Sequence, residues 1–513
     1  MRMAIAVRRS LTELQDAYTR GERGPLEALM RAWKGVKELP PDDPDSFFVL
    51  GGYHGEPFRG GGWGSSAYWG GYCNHGNVLF PTWHRAYLHR LERALQGIPG
   101  CREVTLPFWD ETSPESLAAG IPWALTAETF PLDGVEIKNP LRSFVLTRGI
   151  TDNINGDSPN YSKPLGYETV RYPLSGLVGT EADRAATERH NAQYPDAARN
   201  VQILNTNIIA WLTSHIVVNG VDVPTNVHQK FVDCLDAPNY TLFSNTTSAQ
   251  QWNQDHGTAI VPLESPHNSM HLAIGGYDVP AYDVSPIPGA NGDMGENDTA
   301  GFDPIFFFHH CFIDRVFWLW QRRHGTTGML DLIPEYPGTN SVDSQGPTPG
   351  VTPNSWLTLE SPLAPFVRED GTPYRSLDCI DIEKQLGYTY GPGSLDELAA
   401  RPSLADAPST KALRVWGVNR AAVRGSFLIS AFAHLNGRRL HLGTEAILSR
   451  WSVQGCMNCQ THLEAKAAIA LRGLAAADLG QVRFEVEIRT HNTVLRSTPA
   501  QSGGAALFRT DLR

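Results

Sequence analysis

The spacing of the histidines is the feature that most constrains the fold. Within CNHGNVLFPTWHRAYLHRLE (residues 73–92), His75 and His84 lie nine residues apart, and a helical pattern begins at the second. His267 and His271 are four residues apart and so share one helix face. His310 lies inside a further helical segment that runs from about residue 303 to residue 323. Imidazoles that project inward from several helices form metal sites in the cores of helix bundles, so this spacing predicts a mainly α-helical bundle around a metal.

The histidines that cluster along the chain form two sets of three. The sets are His54, His75 and His84, and His267, His271 and His310. No ligating carboxylate or thiolate is evident beside them, and six nitrogen ligands suit copper better than a hard cation. A closed structural zinc site would more often use cysteine. The alternative is a group of unrelated core histidines, which is a reasonable reading of one pair but a poor one of the whole set.

Composition excludes some classes of protein. The net charge of −11 and the absence of a basic cluster argue against nucleic acid as a partner. No apolar run reaches the roughly 18–20 residues that span a bilayer, so we expect no membrane segment. The apolar stretch near the N-terminus, in MRMAIAVRRSLTEL, is too short for a signal peptide. We therefore expect a cytoplasmic protein, either as a monomer or as a homo-oligomer.

The periodicity of the chain changes near residue 400 and predicts two domains. We expect a mainly α catalytic domain over residues 1–392, built on a four-helix bundle. The Gly-, Pro- and Ser-rich stretch 393–410 is the predicted linker. After it, segments such as FLISAFAHL (427–435) and VRFEVEIR (482–489) indicate β-strands, the second by its alternation with period two. Residues 411–513, called the tail domain below, are therefore predicted to be β-rich and β-sandwich-like.

Two longer motifs resemble a known family. His75-x4-Phe80-Pro-Thr-Trp-His84-Arg85-x2-Leu88-x3-Glu92 resembles the first copper motif of the tyrosinases, and Asp303-Pro304-x-Phe306-Phe307-x2-His310-x3-Asp314 resembles their second. The resemblance extends from about residue 8 to residue 390 and is nearest to the long, fungal-type members. It implies a dinuclear type 3 copper centre with O2 as co-substrate. Copper A would bind His54, His75 and His84, and copper B would bind His267, His271 and His310.

The second motif also selects between two adjacent histidines. Neighbours on a helix diverge by about 100°, so only one of His309 and His310 can point at the metal. The motif selects His310, which leaves His309 to packing or to the surroundings of the ligands. Metal-bound imidazoles are normally oriented by a further hydrogen bond. Asp314, one turn after His310, is the carboxylate that we expect to play that part.

The resemblance also implies roles for residues near the copper ligands. Cys73 matches the cysteine that relatives cross-link to a copper-A histidine through a thioether, here His75; the alternative is an inert buried thiol. Glu264 and Asn268 match positions that hold a water near the phenol, and a carboxylate with an amide is a sensible general base. Glu264 could instead be an acid that complements a helix N-terminus. Leu272 and Asn297 match pocket positions, and the apolar Leu272 predicts no anchor there for a substrate carboxylate.

The tail domain resembles the C-terminal domain that covers the active site in long tyrosinases. The side chain that fills the pocket is not identified by the sequence, and Trp451, Leu448 and Ile447 are the candidates. Cys456 and Cys459 form a CxxC that suits zinc, a redox pair or transient Cu(I) loading, and the resemblance favours copper loading. Tyr388-Thr-Tyr390 matches the motif that closes the catalytic core, and its expected partner is Arg8 or Arg9.

The expected activity is oxidation of phenolic small molecules by O2. Hydroxylation of monophenols to o-diphenols would be followed by oxidation to o-quinones. Glu264 with Asn268 favours this reading over a catechol oxidase that accepts only o-diphenols. A hemocyanin-like O2-binding protein is the alternative from another class, since those proteins also place a β-domain over a dicopper site.

Overall fold

The computed structural model describes residues 5–55, 71–152, 161–279, 287–343, 348–401, 411–423, 425–451, 464–474, 479, 481–491, 494–497 and 509–512. Its helices are α1 (Leu11–Thr19), α2 (Gly24–Glu38), α3 (Phe47–Gly52), α4 (Phe80–Gly97), α5 (Pro114–Ala119), α6 (Glu181–Asn191), α7 (Ala197–Thr213), α8 (Val227–Cys234), α9 (Tyr240–Ser244), α10 (Thr246–His256), α11 (Glu264–Gly275), α12 (Ile305–His324) and α13 (Asp396–Ala399). Within the described ranges, no helix is long and apolar enough to cross a membrane.

The strands are short in the helical part and long in the tail domain. They are β1 (Ala6–Arg8), β2 (Thr129–Leu132), β3 (Val135–Lys138), β4 (Ile150–Asp152), β5 (Tyr161–Lys163), β6 (His215–Val218), β7 (Val221–Pro224), β8 (Pro362–Val367), β9 (Pro373–Arg375), β10 (Tyr388–Tyr390), β11 (Ala412–Asn419), β12 (Phe427–Leu435), β13 (Arg438–Ile447), β14 (Glu464–Ala470), β15 (Arg483–Arg489), β16 (Val494–Ser497) and β17 (Arg509–Leu512). The predicted fold class, a mainly helical core followed by a β-rich domain, is confirmed.

Helix α12 is the centre of the helical domain, by which we mean residues 5–401. Every residue from Ile305 to Gln321 is buried, as expected for a helix that is apolar on all sides. The contacts that Asp303 makes at the start of this helix explain the Asp-Pro pair of the second motif. Asp303 accepts a hydrogen bond from the amide of Ile305 and pairs with Nη2 and Nε of Arg171 at 2.6 and 2.7 Å. The helix ends at Gly325, which adopts a left-handed conformation (φ 67°) that favours glycine.

Helix α4 packs against α12 and also begins earlier than expected. Its first residue is Phe80, so His84 lies in the second turn and does not open the helix. Pro81 stands in the first turn, where the missing N–H costs no hydrogen bond. The spacing within the motif therefore places His84 on the inward face, one turn past the helix start.

Two helices, α7 and α8, occupy most of the region 200–235, but they are not continuous. A β-hairpin, β6–β7, separates α7 from α8. Its turn is Asn219-Gly220, where both residues have positive φ (51° and 80°). An Asn-Gly pair between apolar runs is a strong hairpin signal, and it was missed here. The hairpin matters because Ile216, Val218 and Val223 extend the hydrophobic core of the tail domain.

The tail domain consists of two antiparallel sheets that share a core. One has the order β14-β11-β17, and the other has the order β13-β12-β15-β16. The two strands predicted from the sequence are β12 and β15. Alternate residues of these strands, such as Ile429, Ala431 and Val486, are buried in the shared core, which is the sandwich-like arrangement that was expected.

The predicted linker 393–410 is wrong in its first half. Residues 393–401 are packed on the helical domain, where Leu395 is fully buried and α13 follows directly. Asp396 forms an ion pair with Arg315, and the hydroxyl of Ser394 donates to Asp110 at 2.5 Å. Buried and paired side chains fix this segment despite its loop-like composition. Residues 402–410 lie outside the described residues.

Asp314 closes the helical domain and does not orient a copper ligand. Its oxygens accept hydrogen bonds from the hydroxyls of Tyr388 and Tyr390 at 2.6 Å each, and from Nε of Arg85 at 2.5 Å. Strand β1 pairs in parallel with β10, and this brings Arg8 to the same cluster, 3.6 Å from Asp314. The expected partner of the two tyrosines is therefore Arg8. The role assigned to Asp314 from its spacing was wrong, because its side chain meets two arginines.

Replacing Asp314 by asparagine is expected to lower the free energy of unfolding by about 3 kcal/mol, because it leaves Arg8 and Arg85 buried without their shared anion. Denaturant unfolding followed by far-ultraviolet circular dichroism measures the change. The exposed Glu369, replaced by glutamine, is the matched control and should leave the unfolding midpoint unchanged. An Asp314→Asn protein as stable as the parent would contradict the structural role.

Candidate metal centre

Three histidines approach the centre from the N-terminal half of the chain. His54 follows α3, His75 lies in the loop before α4, and His84 is in α4. All three are at most 3% exposed. The ring centroids of His54 and His75 are 5.2 Å apart, and those of His75 and His84 are 5.1 Å apart. The fold thus brings together the three residues predicted for copper A.

The other three histidines come from two helices. His267 and His271 lie on one face of α11, and His310 lies on α12. Nε2 of His310 is 3.2 Å from Nε2 of His267 and 3.2 Å from Nε2 of His271. Three imidazole nitrogens therefore converge on one point, as the residues predicted for copper B should. The two sets adjoin each other, since the rings of His84 and His310 are stacked at 4.4 Å.

Hydrogen bonds donated by Nδ1 fix the orientation of most of these rings. Nδ1 of His54, His84 and His271 each lies near a backbone carbonyl, at 3.2, 2.8 and 2.8 Å. Nδ1 of His267 instead contacts the side-chain oxygen of Asn268 at 2.9 Å. A proton on Nδ1 leaves the lone pair on Nε2, which is the arrangement of a metal-bound histidine. Nε2 of His54, His75 and His84 has no hydrogen-bond partner among the described residues.

Burial and mutual repulsion keep the six imidazoles neutral. Burial is the main cause that lowers the pKa of each ring, and neighbouring imidazoles lower it further. The pKa of His84 falls to about 3. Near neutral pH these rings therefore keep a free nitrogen lone pair for a cation. Buried Nε2 atoms that lack a hydrogen-bond partner, within a neutral set of nitrogen donors, suit copper ions.

His309 is oriented by a carboxylate that the sequence did not point to. Its Nδ1 is 2.6 Å from Oε1 of Glu111, and both side chains are fully buried. Its ring stacks on His267 at 5.2 Å, and its ligand nitrogen lies within 4.8 Å of those of His267, His271 and His310. Burial raises the pKa of Glu111. Glu111 lies 198 residues from His309, so no local spacing could have revealed the pair.

Cys73 lies beside the copper-A histidines. Its sulfur is within 4.8 Å of ligand nitrogens of His54 and His75. It accepts weak hydrogen bonds from Asn297 at 3.5 Å and from Arg450 of the tail domain at 3.6 Å. Asn297 also holds His54 through its backbone carbonyl, so this predicted pocket residue contacts the site. Arg450 was not predicted, and only the docking of the two domains brings it there.

Glu264 and Asn268 stand at the start of α11, beside the same histidines. Oε1 of Glu264 accepts from the amide of Gly76 at 2.7 Å, and Oε2 accepts from the amide and hydroxyl of Thr246 at 2.7 and 2.8 Å. Burial raises the pKa of Glu264, and these donors oppose the rise. Every partner is a donor, so the group is held as a carboxylate. It ties the loop of His75 to α11.

A cavity of about 260 Å³ adjoins the site at the seam between the domains. The helical domain contributes His75, Glu264 and Asn268, and the tail domain contributes Arg420, Glu445, Ile447 and Leu448. Two of the three candidate lid residues therefore line it.

The remaining predicted residues lie elsewhere. Trp451 is buried near Gly425, and its amide donates to Asp298 at 2.9 Å. Leu272 is fully buried in the hydrophobic core of the helical domain and does not line this cavity. Cys456 and Cys459 lie outside the described residues, so copper loading by this CxxC stays a prediction.

Known proteins resemble this chain over nearly its whole length. The common central domain of tyrosinase matches residues 44–323. "Tyrosinase HcTyr2" of Hahella sp. (strain CCB-MM4) is 54% identical over an alignment of 510 residues that covers 94% of this chain and 92% of the relative. The tyrosinase of Aspergillus oryzae (strain ATCC 42149 / RIB 40) is 44% identical over an alignment of 517 residues that covers 95% of this chain and 92% of the relative. The solved tyrosinase from Burkholderia thailandensis at low pH is 53% identical, with a TM-score of 0.84 and 94% of each chain covered.

These similarities agree with the converging histidines and argue against the O2-carrier alternative, since these relatives are named as enzymes. The domain match includes both copper motifs and all six predicted ligands. The chain therefore belongs to the tyrosinase family and is a copper-dependent enzyme that oxidises phenols.

Proposed function

We propose that the enzyme hydroxylates monophenols at the ortho position and then oxidises the resulting o-diphenols to o-quinones. The observation that carries the proposal is the cavity that reaches His75 and is lined by Glu264 and Asn268. Two copper ions, one on each set of three histidines, would supply O2 binding and the transfer of electrons from the phenol. The protein supplies the orientation of the ligands, the shape of the cavity and an acceptor for the phenolic proton.

Glu264 is the proton acceptor in this proposal. Its carboxylate is held by Gly76 and Thr246 and lines the cavity, so it can take a proton directly or through a water. Asn268 follows His267 and contacts its Nδ1, which leaves its amide N–H2 group to position that water. A catechol oxidase has less need of such a base, because o-diphenols lose their protons more readily to the metal site.

Oxygen consumption by the copper-loaded protein tests the proposal. Tyramine and catechol are given separately, and quinone formation is followed by its absorbance. Uptake on both substrates supports a monophenol hydroxylase. Uptake on catechol alone would identify a catechol oxidase and remove the role given to Glu264 and Asn268.

We further propose that Cys73 and His75 become joined by a thioether. The S–H bond of Cys73 and a ring C–H bond of His75 would be replaced by one S–C bond, and the two hydrogen atoms would reduce one O2, the co-substrate of the enzyme, to hydrogen peroxide. The tryptic peptide that contains both residues is then expected to be lighter by two hydrogen atoms after copper loading in air. Mass spectrometry of that peptide measures the change. Cys73→Ala removes the sulfur, and an unchanged mass in the parent would leave Cys73 as an unmodified thiol.

We propose that the tail domain is a lid whose docking limits activity. Arg489 forms a bidentate pair with Asp278 of the helical domain, at 2.8 and 2.9 Å, and both side chains are largely buried. Arg472 pairs with Asp233 at 2.5 Å, and Lys230 pairs with Glu445 at 3.3 Å. The hydroxyl of Tyr277 donates to the carbonyl of Ser426. These contacts hold the tail domain over the histidines.

Replacing Arg489 by alanine is expected to raise oxidase activity about tenfold without any cleavage, because Asp278 is left buried and unpaired and the lid opens more often. Arg483, an exposed residue of the same strand, is the matched control. Catechol oxidation is measured before and after limited proteolysis near residues 402–410. If cleavage and Arg489→Ala both leave the rate unchanged, the tail domain is not a lid.

A further inference from the structure

The cavity at the domain seam remains even though the tail domain is docked. Its volume of about 260 Å³ is near the lower end for small-molecule pockets, roughly 300 Å³, and is enough for a phenol with one ring. One wall is built by His75 and Asn268 at the metal centre. The opposite wall belongs to the tail domain, so whatever enters this space contacts residues of both domains.

Arg420 is the cation of that opposite wall that needs a partner. Its Nε is buried and has no hydrogen-bond partner within the described part of the chain. Burial lowers the pKa of its guanidinium, and the nearby carboxylate of Glu264 opposes that change. A buried charged donor without an acceptor is costly, so such a group is a good candidate for binding a ligand. Arginine suits a planar carboxylate, to which it donates two parallel hydrogen bonds.

The other charged groups of the cavity already have hydrogen-bond partners, including Asp343, which accepts from the amide of Gly338 at 2.8 Å, and Glu464, which accepts from the amide of Gly417 at 2.7 Å. Lys466 donates to the side-chain oxygens of Gln251 and Gln254 at 3.2 and 3.1 Å. Oε2 of Glu445 accepts from Ser265 at 2.8 Å and lies 3.3 Å from Lys230, so its charge is paired, although Oε1 has no hydrogen-bond partner among the described residues. Glu264 accepts the three hydrogen bonds from Gly76 and Thr246. Arg420 is thus distinguished from Lys466, the second cation of the same cavity.

We propose that Arg420 is a specificity-determining residue that binds the carboxylate of phenolic acids entering the covered site. The inference rests on the proposed oxidation of phenols at this centre. The ring lies toward His75 and Asn268, and the carboxylate lies at the guanidinium of Arg420. The helical domain offers no such anchor at Leu272, which is buried in its core. The docked tail domain is then part of the substrate site as well as its cover.

Three probes of similar size and different charge test the assignment on the copper-loaded full-length chain. They are 3-(4-hydroxyphenyl)propionate, which is anionic, 4-ethylphenol, which is neutral, and tyramine, which is cationic. Arg420→Gln is expected to raise KM for the propionate about tenfold or more, because a charge-assisted pair is lost. The kcat for the propionate and the constants for 4-ethylphenol should change little. Calorimetric titration of the copper-free chain with the propionate should show the same loss of affinity.

Lys466→Gln is the matched control, because it removes one positive charge from the same cavity. An equal effect from Lys466→Gln, or no change in KM and affinity with Arg420→Gln, would overturn the assignment. If the proposed function itself is wrong, the three probes give a different result. In that case no probe is oxidised by the parent, even after the tail domain is cleaved, while the binding titration still decides the role of Arg420.

Discussion

Replacing His310 by alanine is expected to lower the oxidation of phenols, including both proposed substrate classes, by roughly a thousandfold or more, because the proposed copper-B site loses its central ligand. Nε2 of His310 lies 3.2 Å from Nε2 of both His267 and His271, so its removal leaves two imidazoles where three converged. The remaining pair is a weaker and less selective site. Copper content measured by atomic absorption should fall from two ions per chain toward one, and O2 uptake should stop with it.

Two further variants make that result specific. His324 lies on the same helix and contacts the carbonyl of Leu235 at 2.9 Å, so His324→Ala should keep both copper ions. His309→Ala tests the adjacent ring, which is held by Glu111. It is expected to keep most of the copper and to lose part of the activity, because His267 and His271 lose a packing neighbour. If His309→Ala loses the metal and His310→Ala does not, the assignment from the motif is reversed.

Replacing Glu264 by glutamine is expected to lower kcat for tyramine about a hundredfold while catechol oxidation changes only a few-fold, because an amide cannot accept the phenolic proton. The amide keeps the size of the side chain and can still accept one hydrogen bond from Gly76 or Thr246. The ratio of the two rates is the internal control. A general loss of structure would lower both rates together, whereas loss of a base lowers the monophenol rate alone.

The pH profile gives a second test of the same role. Burial raises the pKa of Glu264, and the base must be ionised to act. Hydroxylation of tyramine should therefore decline, as the pH falls, at a higher pH than an ordinary glutamate would cause. The catechol profile should lack that step, and Glu264→Gln should remove it. Identical acid limbs for both substrates in the parent would contradict the assignment.

The sequence by itself identified the residues whose spacing places them on one face of a helix or strand. His267 and His271 follow the helical repeat, and the two motifs place His84 and His310 on helices that face each other. The strands β12 and β15 followed from their residue pattern. These predictions succeed because helical and extended periodicities are local properties, fixed within a few residues. The hairpin β6–β7 is also encoded locally, by the turn residues Asn219 and Gly220.

Only the tertiary structure decided which distant groups meet. In the folded chain, Glu111 contacts His309. Asp314 accepts hydrogen bonds from Arg85 and two tyrosines, although its spacing from His310 had suggested that it orients a histidine. The fold also places Arg420 and Arg450 of the tail domain at a site formed by the helical domain. Ion pairs and buried hydrogen bonds join residues that are remote in sequence, and their partners depend on how whole domains pack. Sequence periodicity does not encode how domains pack, so these contacts can be identified only in the folded structure.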